Sequence, residues 1–83
     1  MKVTVRYFAS IREAIGQGSE TVESSAATLG ALRDELIARG GAHADSLARG
    51  KAVRMALDQV MRDEAAALAE GAEVAFFPPV TGG

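Results

Sequence analysis

The residues able to do chemistry in this chain gather at one end, in Val74-Ala75-Phe76-Phe77-Pro78-Pro79-Val80-Thr81-Gly82-Gly83. Side-chain catalysis has little to work with elsewhere. There is no Ser/His/Asp set and no glycine loop of the phosphate-binding types. With no cysteine there is no thiolate nucleophile, no disulfide and no cysteine-ligated metal site. His43 is the single histidine; it sits in a loose stretch, residues 42–50, without a ligand set around it, and reads as a solvated loop residue. The eleven carboxylates are scattered and read as solubility. What remains is the α-carboxylate expected on Gly83. Such a group is ionised at neutral pH, with a reference pKa of about 3.3 to 3.7, and is a poor electrophile until activated. Joining it to AMP at the expense of ATP makes a mixed anhydride, whose carbonyl a sulfur or amine nucleophile can attack.

The neighbouring residues suit that chemistry. Gly82 and Gly83 have no Cβ, so they can thread a narrow channel and take backbone angles closed to other residues. Pro78 and Pro79 stiffen the exit by fixing φ. Val80 to Gly83, extended, reach about 13 Å beyond them, at roughly 3.3 to 3.6 Å per residue. The chain therefore reads as a domain over residues 1–79 with a flexible arm over 80–83. A glycine-rich end taken alone is a weak signal, since chain ends fray; attached to an apolar strand and a double proline it is a stronger one.

A small domain must position this arm. Eighty-three residues make one core, and 17 of the 40 hydrophobic residues are alanines, so that core is modest. Lys2 to Phe8 alternates Val3, Val5 and Tyr7 against Lys2, Thr4, Arg6 and Phe8, the period-two pattern of a strand with one buried face. Phe8 falls on the polar side. Ser10-Ile11-Arg12-Glu13 has capping-box spacing, which predicts a short helix with Ile11, Ala14 and Ile15 inward and Gly16 at its end. Glu20 to Glu23 reads as a second strand, hairpin-paired with the first. Thr28 caps a helix whose Leu29, Leu32, Leu36 and Ile37 recur at helical spacing until Gly40-Gly41, with Glu35 and Arg39 placed to pair four residues apart. Ala52 to Leu57 alternates again. Asp58-Gln59 is turn material, Val60-Met61 a short return strand, Asp63 to Ala69 a turn of helix around Leu68, and Glu73 to Phe77 the final strand.

This order fits an α+β domain in which a mixed sheet grasps one main helix, with the first and last strands side by side. Phe8 and Phe77 then share the outer face near the ends of adjacent strands. Two clustered exposed aromatics mark a binding surface.

Nine basic and eleven acidic residues are interspersed, so no nucleic-acid or membrane surface is expected. No run approaches the ~18 apolar residues of a span and no secretory signal opens the chain, which predicts a cytoplasmic location.

The chain resembles the small subunits of molybdopterin synthase, sulfur carriers of the ubiquitin-like β-grasp superfamily. The resemblance spans nearly the whole length. It rests on Val5-Arg6-Tyr7-Phe8-Ala9 with Arg12-Glu13, on Thr28-Leu29-Gly30-Ala31-Leu32-Arg33, on Ala56-Leu57-Asp58-Gln59, and on Glu70 through Gly83. Phe-Pro-Pro-Val before the final residues is its most specific part. The resemblance implies that an adenylyltransferase related to ubiquitin-activating enzymes adenylates Gly83 with ATP and that a sulfur donor protein supplies sulfur to make a thiocarboxylate. The loaded arm then enters the large synthase subunit, within a heterotetramer of two small and two large subunits, and delivers sulfur to cyclic pyranopterin monophosphate for the molybdenum cofactor. The protein turns nothing over by itself and binds no cofactor stably. Gly83 is the reactive residue; Phe8, Arg12, Met61 and Phe77 face the partner; and Pro78, Pro79, Val80, Thr81 and Gly82 form the inserted arm. Asn is common in the family where this chain has Asp58, and residues 62–69 align poorly. Three other readings stand beside this one: a sulfur carrier for thiamin or cysteine synthesis, a ubiquitin-like modifier of lysines, and an interaction module with an inert tail.

Overall fold

A computed structural model of the protein describes residues 1–79, so the expected arm at 80–83 lies outside the described residues. Its elements run β1 (Lys2–Tyr7), α1 (Ala9–Ile15), β2 (Ser19–Glu23), α2 (Leu29–Ala38), α3 (Gly41–Leu47), β3 (Arg54–Leu57), β4 (Val60–Arg62) and β5 (Glu73–Phe77). The strands form one sheet in the order β2-β1-β5-β3-β4, in which β1 and β5 are parallel and every other pairing is antiparallel. A parallel pair cannot be joined by a tight hairpin and needs a long crossover. Here nearly the whole chain is that crossover, and it leaves the two most apolar strands side by side at the centre.

The alternation in β1 works as read. Val3, Val5 and Tyr7 are buried together with Val74 and Phe76 of β5 and with Leu29, Leu32 and Leu36 of α2, while Lys2, Thr4 and Arg6 face solvent. Thr28 caps α2, its Oγ1 accepting from the Ala31 amide at 3.2 Å. Asp58 and Gln59 both take positive φ, 49° and 71°, as a two-residue hairpin of the type I′ kind demands. Asp58 also ties the hairpin to β5, its amide donating to the Glu73 carbonyl at 2.8 Å and its Oδ1 accepting from the Glu73 amide at 3.0 Å.

Local expectations fail where tertiary partners override them. Ser10 does not cap α1: the N-cap is Phe8, without a side-chain bond, because Ala9 already starts the helix at φ 50° and places Ser10 inside the first turn. Ile11 is the buried residue of that helix, Ile15 packs partly, and Ala14 is exposed, since seven residues present only a narrow inward stripe. Glu35 does not pair with Arg39. Its carboxylate accepts from the Ser24 hydroxyl at 2.6 Å and from Ser25, while Arg39 reaches Glu20 at 2.9 Å. A helical pair worth a few tenths of a kcal/mol yields to better tertiary partners.

The stretch at 42–50 is not loose. Gly40 and Gly41, at φ 77° and 58°, swing the chain from α2 into α3, whose Leu47 plugs the core. Nor do residues 63–69 form a helical turn. They run as a strap along the start of α2, where the Leu29 and Gly30 amides donate to the Ala66 and Glu64 carbonyls at 3.0 Å each, and the Leu68 amide donates to Ala27. Helix amides without intrahelical partners are satisfied this way. The strap lies so close that a Cβ on Gly30 would sit 2.8 Å from Glu64 Oε1 and 3.0 Å from Glu64 Cβ, so a larger residue there would have to displace the Glu64 side chain.

One buried charge ties these pieces together. Arg33, almost wholly covered on α2, donates to the carbonyls of Leu47 at 2.8 Å, Ala48 at 2.8 Å and Lys51 at 3.0 Å, and pairs with Glu64 at 3.2 Å. Arg49 closes over the outside, bonding Asp34, Glu64 and the Gly30 carbonyl.

Candidate functional site: an aromatic face at the exit of the last strand

The outward residues of β1 and β5 end in aromatics. Tyr7 lies opposite Phe76 in the parallel register, so Phe8 and Phe77, the next residues, emerge side by side on the face away from the core. Their rings stack with centroids 4.7 Å apart and planes 13° from parallel. The Phe8 amide extends the ladder to the Phe76 carbonyl at 3.2 Å, which holds the pair in place. The Arg6 guanidinium stands 5.3 Å from the centre of the Phe8 ring and 3.5 Å from Glu73, so the charge on that flank is already neutralised.

Across the sheet, Arg54 lies opposite Phe77, and Met61 lies opposite Ala56 of β3. Met61 is 52% exposed. A long apolar side chain left in water beside a stacked aromatic pair is the composition of an interface centre rather than a solvated face. Together Phe8, Ala9, Met61, Phe77, Pro78 and Pro79 line a hollow of about 570 Å³ whose one ionisable side chain is Arg54. It contains no nucleophile, acid or base, and can bind but not react. Pro78 and Pro79 border it, so the chain leaves β5 along its edge.

The structure thus brings together five of the residues named from sequence: Phe8, Met61, Phe77, Pro78 and Pro79. Arg12 does not line this hollow; it is exposed on the flank of α1, packed beside Gly18, where an added Cβ would lie 3.2 Å from its Nε. Val80, Thr81, Gly82 and Gly83 fall outside the described residues. Two lining residues were not singled out from sequence. Arg54 sat on the polar side of a predicted strand, but its place opposite Phe77 depends on register. Ala9 lines the hollow because it takes φ 50°, for which an alanine carries no sequence signal.

His43 is not a solvated loop residue. It lies on α3, its Nε2 2.9 Å from Glu20, and its ring meets Tyr7 edge-on at 5.8 Å. Glu20 also accepts from the Tyr7 hydroxyl at 2.7 Å and from Arg39. Burial of Glu20 opposes its charge, but the bonds from His43, Tyr7 and Arg39 outweigh it and bring the carboxyl down to about 2. Burial, and then the Glu20 carboxylate beside it, push the Tyr7 phenol up. The group fastens α3 and the end of α2 to β2. Among the described residues, no cluster of three or more His, Cys, Asp or Glu could hold a metal.

The cluster predicts a pH dependence with a definite sign. Because the folded carboxyl titrates at about 2, below its ordinary 4.5, Glu20 contributes stability fully above about 4.5 and loses it as pH falls toward 2. Urea unfolding followed from pH 7 to 2.5 is expected to show this loss. Glu20→Gln should be less stable than the parent at neutral pH and flatter in the acid range. A parallel acid profile for the two proteins would remove Glu20 from the explanation.

The mixed five-stranded sheet, its parallel first and last strands and the helix it grasps define a ubiquitin-like β-grasp protein, with an exposed aromatic face at the exit of the last strand. The chain belongs to the ThiS family, which matches over residues 5–83. It is 40% identical to the molybdopterin synthase sulfur carrier subunit of Haemophilus influenzae over 81 residues, covering 98% of this chain and 99% of that one. Among solved structures it is similar to SAMP1 of Haloferax volcanii, with 26% identity, a TM-score of 0.77 and full coverage of both chains. It is also similar, with 26% identity, a TM-score of 0.69 and full coverage of both chains, to a chain of the complex of subunits 1 and 2 of molybdopterin-converting factor from Helicobacter pylori. Among the described residues no helix is long and apolar enough to cross a membrane.

Proposed function

We propose that the protein is the sulfur carrier subunit of a molybdopterin synthase. The observation that supports this most is the near full-length likeness to a sulfur carrier subunit at 40% identity. The hollow adds a physical reason: it is a partner-binding face without reactive side chains, set where Pro78 and Pro79 lead toward Gly82-Gly83. A domain that binds but does not react, with its reactive group carried on an arm, is a donor subunit.

A carboxylate oxygen of Gly83 attacks the α-phosphorus of ATP and displaces pyrophosphate, in the active site of an adenylyltransferase. Hydrosulfide attacks the carbonyl carbon, the bond to AMP breaks and a thiocarboxylate remains; if the attacking sulfur is instead the terminal atom of a donor protein's persulfide, a second thiol must cleave the S–S bond of the acyl disulfide, leaving the thiocarboxylate and a disulfide. The large synthase subunit takes the arm; the sulfur forms a bond to a carbon of cyclic pyranopterin monophosphate as a carbon–oxygen bond at that carbon breaks and the oxygen leaves with its electron pair, as phosphate or water, and water then cleaves the thioester at its acyl carbon, returning the Gly83 carboxylate and leaving the sulfur on the pterin. Two such transfers make a dithiolene. The Helicobacter pylori complex joins subunits 1 and 2 of the corresponding factor, which supports a large-subunit partner here; two small and two large subunits make the assembly we propose.

Protein purified from its own host is expected to include a population whose mass reflects exchange of one oxygen for sulfur at Gly83. A variant with one residue added after Gly83 should lack that species and keep its fold. Absence of the species even with activating enzyme, ATP and sulfur donor present would sink the carrier reading, and sulfur transfer to a thiazole precursor in place of the pterin would move it to another pathway. The likeness to SAMP1, a small archaeal modifier protein, favours one second reading, attachment of Gly83 to lysines. Branched peptides ending in Gly-Gly on other proteins would establish it.

A further inference from the structure

Pro78 and Pro79 leave β5 between two hollows, and each hollow carries one basic side chain. On one side is the aromatic hollow with Arg54. On the other, a smaller hollow of about 290 Å³ lies against α1 and the start of β3, and its basic residue is Lys51. Among the described residues, Arg6, Arg33, Arg39 and Arg49 are each matched to a carboxylate, while Lys2, Arg12, Lys51, Arg54 and Arg62 are not; of these, Lys51 and Arg54 are the ones that line the hollows bordered by Pro78 and Pro79. The acids in the hollow adjoining Arg54 are Asp63 and Glu64, beside Arg62. Both are engaged: Glu64 by Arg33 and Arg49, and Asp63 by the Ala65 amide at 3.0 Å.

These two cations are also built into fixed places. Lys51 is anchored through its backbone, its amide donating to Ala48 at 2.9 Å and its carbonyl accepting from buried Arg33 at 3.0 Å. Arg54 is held in the ladder opposite Phe77. In a chain of net charge −2, the strand exit is flanked on both sides by unmatched positive charge.

We propose that Lys51 and Arg54 form a basic bracket around the exit, and that the large subunit receiving it carries carboxylates on both sides of its opening to meet them. This rests on the synthase reading above. Exposed charges add little affinity, but they steer encounter and set orientation. The apolar stack supplies contact with little angular preference, while two charges on opposite sides of Pro78 and Pro79 define a line, and hence the orientation in which the domain docks. A nucleic acid fits less well, because its phosphates call for a row of free cations along one face, whereas Lys51 and Arg54 stand on opposite sides of Pro78 and Pro79.

The test is the association rate of the full-length protein with the large subunit, measured against ionic strength. The double variant Lys51→Gln/Arg54→Gln is expected to associate about tenfold more slowly at low salt, with a shallower salt dependence and a dissociation rate changed much less. The charge-keeping variant Lys51→Arg/Arg54→Lys should restore the parent rate and slope, which a merely structural role would not require. An unchanged rate and slope in the double Gln variant overturns the bracket and leaves the synthase reading intact. Faster association by Lys51→Glu/Arg54→Glu overturns it in favour of a basic opening. Failure of the parent protein to bind any large subunit from its host overturns the synthase reading, and the bracket with it.

Discussion

Replacing Arg33 by alanine should cost about 3 kcal/mol or more of folding stability, a large part of the total for a domain of this size. The arginine is nearly inaccessible and its donors serve the Leu47, Ala48 and Lys51 carbonyls together with the Glu64 carboxylate. Removal leaves a void in α2, orphans buried acceptors and frees both the 48–51 loop and the 63–69 strap. Arg33→Lys should recover only part of the loss, since a single ammonium cannot reach acceptors spread on two sides as a planar guanidinium does. Urea unfolding of the parent and both variants checks this. A cost below about 1 kcal/mol for Arg33→Ala would mean that water replaces the guanidinium and that the loop is held by other contacts.

The second large effect is on binding. Phe77→Ala should weaken the complex with the large subunit by at least about 2 kcal/mol, roughly thirtyfold, because a central aromatic anchor is lost and its stacking partner Phe8 is left without support. The domain should stay folded: Phe77 is half-buried on the outer face, whereas Phe76, one residue earlier, is completely covered in the core. Phe76→Ala therefore serves as the contrast, expected to damage stability first. Titration calorimetry with the large subunit separates the two effects when circular dichroism spectra and unfolding midpoints are recorded alongside. Unfolding of the Phe77 variant would place its ring in the core, and unchanged affinity would take the aromatic face out of the interface.

These predictions differ in how far they were legible beforehand. The outward place of Phe77 follows from alternation along the last strand, and Phe8 from alternation along the first; their stacking needed only that the two strands be neighbours in parallel register. Arg33 offered no such signal. An arginine in an amphipathic helix reads as solvent-facing, and its burial depends on carbonyls at the end of α3 and in the loop after it, the first of them 14 residues later. The place of His43 is hidden for the same reason: the partners that bury it, Glu20 and Tyr7, are 23 and 36 positions away, and all of α2 lies between. Ser10 shows the opposite failure, a local capping pattern that loses because the chain turns from strand to helix one residue too early for it.

By itself the sequence determined what is periodic or local: alternating strands with one buried face, the leucine stripe of the main helix with its Thr28 cap, the Asp58-Gln59 turn, and the want of any side-chain constellation able to do catalysis. Those follow from side-chain direction and backbone preference within a few residues. Only the tertiary structure decided which distant groups meet. The register of β3 against β5 put Arg54 beside Phe77, the course of the 47–51 loop put Lys51 on the other side of Pro78 and Pro79, and the packing of the strap against Gly30 and Arg33 closed the helix. Such pairings arise because buried amides, carbonyls and charges must each find a partner, and the nearest partner in space is seldom the nearest in sequence.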